Sequence, residues 1–157
     1  SGITLHYAAG TQGGDPANVV DETNKLGWSY NYLIDRDGTR YQLVPDGYGA
    51  VHTDNTRNKT SYGLGFMNIG PSDKYNSQPG WPYAPIPGST PDWDGAYWET
   101  YTPDQIASAA ELVRQLGATP NWYLIGHQDV NSHKSDPGPA FPWSKFEALT
   151  GLRRGVS

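Results

Sequence analysis

The sequence predicts an α/β (α+β) fold, a mixed central β-sheet flanked by helices. Short runs rich in β-branched and aromatic residues recur along the chain, and stretches with helix-start signals lie between them. One pair of runs is joined by a tight Asp-Gly turn. With 157 residues the chain is long enough for one domain with a real core and short for two, so residues 1–157 are read as a single domain.

The elements follow in order. Ile3-Thr4-Leu5-His6-Tyr7 is a short strand that ends at Ala8-Ala9-Gly10. Asp15-Pro16 has the chemistry of a helix start, a side-chain oxygen for the orphan amides and then a proline where no N–H is needed. That helix runs to about Lys25. Tyr30 to Ile34 and Thr39 to Val44 flank Asp35-Arg36-Asp37-Gly38 as a hairpin, since the Asp-Gly pair accommodates positive φ. Tyr62 to Asn68 is a further strand in which Gly63 and Gly65 leave room for something to approach the backbone.

Residues 70–100 lack periodicity and are dense in Pro, Gly and Trp, which reads as one long loop, either functional or disordered. Trp81, Tyr83, Trp93, Tyr97 and Trp98 favour the first, because rigid aromatics find something to pack against. Thr102-Pro103-Asp104-Gln105 is a capping box. It opens a helix to about Leu116 with Ile106, Ala109, Ala110, Val113 and Leu116 on one face, and Gly117 stops it. Trp122 to Gly126 has the character of a buried strand, and a Pro-rich loop leads to a last helix from about Ser144 to Leu149.

Composition narrows the function classes. A net charge of -5 leaves no basic stripe for phosphates, which excludes nucleic acid as a partner; Arg153-Arg154 reads as a solvated tail. No stretch approaches the roughly 20 apolar residues that span a bilayer, so no membrane partner is expected. Without cysteine there is neither disulfide nor thiolate ligand, and the redox compartment stays open. Six Trp, eleven Tyr, 19 Gly and 13 Pro describe a loop-rich protein with many fixed turns. The start at Ser1-Gly2-Ile3, without Met, reads as an excised or processed domain, which leaves room for further domains upstream.

Two of the four histidines stand at strand ends, His6 after Ile3-Thr4-Leu5 and His127 after Leu124-Ile125-Gly126. Strand ends at one edge of a sheet aim distant residues into a single cleft. A catalytic zinc site takes three N/O ligands and leaves a position open, and Asp136, nine residues after His127, is a candidate third. Lys134 is placed to meet negative charge in the same cleft. Spacing alone leaves the bland alternative in place, because a histidine at a strand end is more often a hydrogen-bonded structural residue. There is no compact H-E-x-x-H signature.

The residues 3–10, Ser29 to Val44, Ala50-Val51-His52, Ser61-Tyr62-Gly63, Gly126-His127-Gln128-Asp129 and Lys134-Ser135-Asp136-Pro137-Gly138-Pro139 carry a resemblance. In this order they resemble the type 2 N-acetylmuramoyl-L-alanine amidases, the superfamily of the peptidoglycan recognition proteins and certain phage lysins. The similarity runs from residue 3 to about 146, and its last block, Lys134 through Trp143, is the most specific. It implies a peptidoglycan-recognition-protein-like amidase fold and a single catalytic domain that cuts the amide between N-acetylmuramic acid and L-alanine of peptidoglycan. The expected products are a glycan and a peptide that begins with L-alanine.

By the same resemblance His6, His127 and Asp136 bind one zinc ion (Zn2+), Lys134 stabilises the oxyanion and Tyr30 orients or polarises the attacking water. His52 corresponds to a groove-lining histidine and Asn58 shares its status, each either contacting substrate or serving structure. Asp129 is expected to fix its loop, and His133 to be an exposed loop residue. The aromatic segment from 79 to 98 is expected either to wall a peptide groove or to dock a neighbouring domain.

Two departures from the family pattern bear on mechanism. Gly65 stands where cytosolic relatives place a Glu on the central strand, and Tyr7 stands where many have a second His. Two other function classes fit the same residues: a non-catalytic peptidoglycan-binding module, and a zinc amidase with a different N-acyl peptide substrate. The partner is a muropeptide in each wall-directed case. The expected location is the cell wall, reached by secretion, in the periplasm or by phage delivery.

Overall fold

The computed structural model describes residues 1–8, 15–72, 83–85 and 97–155. Its centre is a five-stranded mixed sheet in the order β3-β2-β4-β1-β8. Here β1 is Gly2–Tyr7, β2 Tyr32–Ile34, β3 Arg40–Gln42, β4 Ser61–Phe66 and β8 Tyr123–Gly126. β1 runs parallel to both β4 and β8, β2 is parallel to β4, and β3 closes the edge antiparallel to β2.

Local signals account for these elements. Helix α1, Pro16–Lys25, starts as expected, with the Asp15 carboxylate accepting from the Ala17 amide. The β2–β3 hairpin pairs Leu33 with Tyr41, and Gly38 sits at φ 89° in its turn. A short helix α2, Arg57–Thr60, leads into β4. Helix α3, Pro103–Gln115, carries the full capping box, with Thr102 and Gln105 satisfying each other's backbone amides. Helix α4, Trp143–Thr150, stops at Gly151 in the left-handed region at φ 77°.

Period-2 alternation divides the sheet between two cores. Ile3 and Leu5 of β1, Tyr32 and Ile34 of β2 and Leu64 and Phe66 of β4 face the apolar side of α3 and Phe146 of α4. The opposite face carries Leu33, packed with Val19 of α1 and with Met67. His6 therefore stands on the α1 face, since it alternates with Leu5. In the register of β1 and β4 its neighbour is Gly65, and Thr4 is beside Gly63.

The segment expected to be one long loop contains regular structure. β5, Pro71–Ser72, β6, Tyr83–Pro85, and β7, Tyr97–Glu99, form an antiparallel sheet in the order β5-β7-β6. Trp98 is buried, and so is Glu99, whose carboxylate takes Arg36 Nε and Nη2 at 2.7 and 2.8 Å and the Ile69 amide at 2.9 Å. Strands this short carry no readable alternation, which is why the periodicity was silent. Trp81 and Trp93 lie outside the described residues, as do the side chains of Tyr83 and Tyr97.

Arg154 corrects the expectation of a solvated tail. It grips Asp129 with Nη2 and Nε at 2.6 and 3.1 Å and lies 3.9 Å above the Trp143 ring centroid. Gly155 also bridges back to Leu124 of β8.

Candidate metal centre

The centre is assembled from three places in the chain. His6 comes from the end of β1, His127 from the 3-10 turn His127–Asp129 directly after β8, and Asp136 from the following loop. Several contacts hold that loop. Gly126 lacks a Cβ where one would lie 2.5 Å from Pro137 Cδ, so the loop lies against the strand end. The Gln128 amide donates to the Asp136 carbonyl at 2.9 Å, and the Tyr101 hydroxyl donates to the Pro137 carbonyl at 2.7 Å. Asp129 accepts from the Gly126 amide at 2.8 Å as well as from Arg154, so it fixes the turn as expected.

His6 Nδ1 is 2.7 Å from Asp136 Oδ2, and His127 Nδ1 is 3.3 Å from the same oxygen. All three donor atoms lie within 4.8 Å of one another. Two ligands at zinc–nitrogen distances on a tetrahedral ion are about 3.3 Å apart, within the range these donors span, so the set could hold a metal ion. Its donors are two imidazoles and one carboxylate, which suit zinc.

Burial controls the charges. Burial lowers the His6 pKa below its ordinary value of 6.5, against the hydrogen bond that His6 donates to Asp136. Burial alone would raise the Asp136 carboxyl, but hydrogen bonds from His127 and His6 outweigh it and hold it well below the usual carboxylate range. The site thus offers an anionic oxygen and a neutral His6 imidazole, the forms a cation requires.

These residues lie in a cavity of about 620 Å³ whose walls include Tyr30, His52 and Lys134. The Tyr30 ring centroid stands 5.3 Å from that of His6, and burial first, then the Asp136 charge, pushes the Tyr30 hydroxyl well above its usual range. Tyr7 forms another wall, its hydroxyl hydrogen-bonded to Ser135 and raised by burial to about 12. Lys134 is exposed, with Nζ 5.3 Å from the Trp28 ring centroid.

The two strand glycines explain how the Tyr30 and His52 rings reach His6. A Cβ at Gly65 would meet the Tyr30 ring at 2.6 Å, and one at Gly63 would meet the His52 ring at 2.5 Å. What approaches the backbone of β4 is therefore a pair of aromatic side chains. The missing carboxylate at 65 has a steric reason, because Tyr30 fills the space a side chain there would need.

Asn58, expected beside His52 either to contact substrate or to serve structure, is not among the residues that line the cavity. Its Oδ1 accepts from the His52 and Thr53 amides at 2.9 and 2.8 Å, which fixes the loop that carries His52. Sequence reasoning also passed over Trp28, Leu26 and Val51, exposed apolar residues in the cavity wall. The signal was available for Trp28, a tryptophan in a polar stretch two positions before Tyr30. His133, expected to be only an exposed loop residue, is exposed and lines the cavity too.

The sequence pattern of the N-acetylmuramoyl-L-alanine amidase family matches residues 1–139. Among solved structures, the N-acetylmuramyl-L-alanine amidase AmiD from E. coli, in complex with anhydro-N-acetylmuramic acid-L-Ala-D-gamma-Glu-L-Lys, is 21% identical with a TM-score of 0.71, covering 100% of this chain and 59% of that one. AmpDh3 from Pseudomonas aeruginosa, in complex with an anhydromuramic pentapeptide, is 22% identical with a TM-score of 0.69, covering 97% of this chain and 60% of that one. The amidase LysC from Clostridium intestinale is 22% identical with a TM-score of 0.67, covering 96% and 85%. At these identities the likeness is one of fold, and the chain spans about three fifths of the length of the first two. The curated proteins contain no match to this chain.

Proposed function

The chain belongs to the N-acetylmuramoyl-L-alanine amidase family, and from that premise we propose that it is a zinc hydrolase of peptidoglycan. Its reaction is hydrolysis of the amide between N-acetylmuramic acid and the L-alanine of the stem peptide. One observation carries the reading: His6 Nδ1, His127 Nδ1 and Asp136 Oδ2 converge in a cavity that also holds a lysine and a half-buried tyrosine.

His6, His127 and Asp136 would hold the ion. Zinc bound there would polarise an amide carbonyl and make a water acidic enough to act as nucleophile near neutral pH. The chain's own groups do the rest. Lys134 supplies a mobile positive charge at the cavity wall, suited to the negative charge that builds on the carbonyl oxygen. Tyr30, whose hydroxyl stays protonated at any physiological pH, orients the attacking water or the carbonyl by hydrogen bonding. No carboxylate base is supplied from position 65.

Residues 1–157 act on this reading as a single catalytic domain at the cell wall, after secretion, in the periplasm or through phage delivery. No helix among the described residues is long and apolar enough to cross a membrane. The test is digestion of purified peptidoglycan with and without a zinc chelator, read by mass spectrometry. Stem peptides with a free L-alanine amine must appear only when zinc is present. Chelator-resistant binding without release would instead identify a recognition module. Release of other N-acyl peptides alone would identify a different amidase substrate.

A further inference from the structure

In the convergence described above His6 faces the proposed zinc through Nδ1, and the structure gives its other nitrogen a partner as well. His6 Nε2 lies 3.1 Å from His52 Nδ1, and the two rings meet edge to face with centroids 5.2 Å apart and planes at 81°. From this geometry we infer that His52 is a positioning residue for the metal: its Nδ1 accepts the proton that His6 must carry on Nε2 once Nδ1 is a ligand. The inference rests on the zinc reading and deepens it.

The reason is the proton inventory of imidazole. A neutral ring that gives the Nδ1 lone pair to a cation has its single proton on Nε2, and a buried N–H without an acceptor is destabilising. His6 is 1% exposed, so water is no substitute. His52 Nδ1 is the acceptor in place, and by fixing the tautomer it also fixes the ring's aim.

The rest of the local structure serves that contact. Gly63 clears the space in which the His52 ring lies, and Asn58 Oδ1 holds the His52 and Thr53 amides, which fixes the backbone that carries the ring.

The test is zinc affinity measured by competition with a chromophoric chelator on the full chain. Four proteins are compared: parent, His6→Ala, His52→Leu and His52→Asn. His52→Leu should bind about 10- to 100-fold more weakly, the usual loss for an outer partner of a metal ligand. His52→Asn places a side-chain oxygen where Nδ1 was and should keep most of the parent affinity. The visible spectrum of the cobalt-loaded proteins should change in the leucine variant and not in the asparagine variant.

If His52→Leu binds zinc as tightly as the parent, the proposal is overturned while the zinc reading stands. If the asparagine variant is as weak as the leucine variant, packing and not the acceptor is responsible, and the proposal is again overturned. A parent that binds zinc no better than His6→Ala overturns both readings. Should His52→Leu fail to fold, Gly63→Ala displaces the same ring without altering it, and parent-like zinc affinity there overturns the proposal.

Discussion

Replacing Gly65 by alanine tests the packing at the centre of the site. The added Cβ would lie 2.6, 2.8 and 3.0 Å from Cδ2, Cγ and Cε2 of Tyr30. Carbon atoms rest at about 3.5–4.0 Å, so the ring must move by about 1 Å. It cannot yield freely, because it stands against His6 on one side and packs on the cluster of Val19, Leu33 and Met67 on the other. Overpacking of this kind costs about 1–3 kcal/mol. For a chain of this size that lowers the melting temperature by roughly 2–12 °C. A 1 Å misplacement of a group that orients the reactants lowers kcat by about 100-fold. Thermal unfolding and muropeptide turnover measure the two effects, and Tyr30→Phe separates them, since it keeps the ring and removes the hydroxyl. Gly65→Ala with the parent's melting temperature and rate would refute the argument. So would Gly65→Glu with an increased rate, because a carboxylate at 65 would then coexist with Tyr30.

Lys134→Ala should keep zinc bound, because Lys134 is exposed and is not one of the three clustered donors, and should lower kcat about 100- to 1,000-fold, as the loss of an oxyanion donor does. Turnover at the parent rate would remove Lys134 from the mechanism, whereas His6→Ala should lose zinc and activity together. In the metal-free protein, burial holds the His6 and His52 pKa values below 6.5, His52 down to about 3. The unfolded chain therefore takes up protons that the folded chain refuses. Stability is fully present above about pH 6.5 and is lost as the pH falls below it, for His52 down to about 3, by up to about 1.4 kcal/mol per pH unit for each histidine. Urea midpoints of chelator-treated protein at pH 7.5, 6 and 5 should fall in that order, and a flat series would refute the burial argument.

Elements decided by a few adjacent residues were legible in the sequence. The Asp15-Pro16 start, the Asp35 to Gly38 turn and the Thr102 capping box each satisfy their own backbone within about one turn, whatever the rest of the chain does. The β5-β7-β6 sheet was not legible, because two- and three-residue strands have no period to read and find their partners up to 27 residues away. Arg154 was misread for a similar reason: its partners, Asp129 and Trp143, are 25 and 11 residues distant, and a pair of arginines near a terminus carries no local sign of them.

The site itself was half legible, and the dividing line is a physical one. Ile3-Thr4-Leu5-His6 alternates, so once Ile3 and Leu5 are buried against α3, His6 must face the other side of the sheet. A slip of one residue in the pairing of β1 with β4 would carry the imidazole into the apolar core, so the hydrophobic pattern that builds the fold also aims His6. Gly63 and Gly65 alternate in the same phase on the neighbouring strand. They are the negative image of the His52 and Tyr30 rings, and sequence alone reveals the vacancy without naming the tenant. That identification needs the hairpin and the Asn58-held loop folded onto the sheet, contacts spanning 11 to 35 positions along the chain. A strand that carries glycine at alternate positions beside a histidine is thus a readable sign of a crowded site, and the crowding is what leaves His6 with a single orientation.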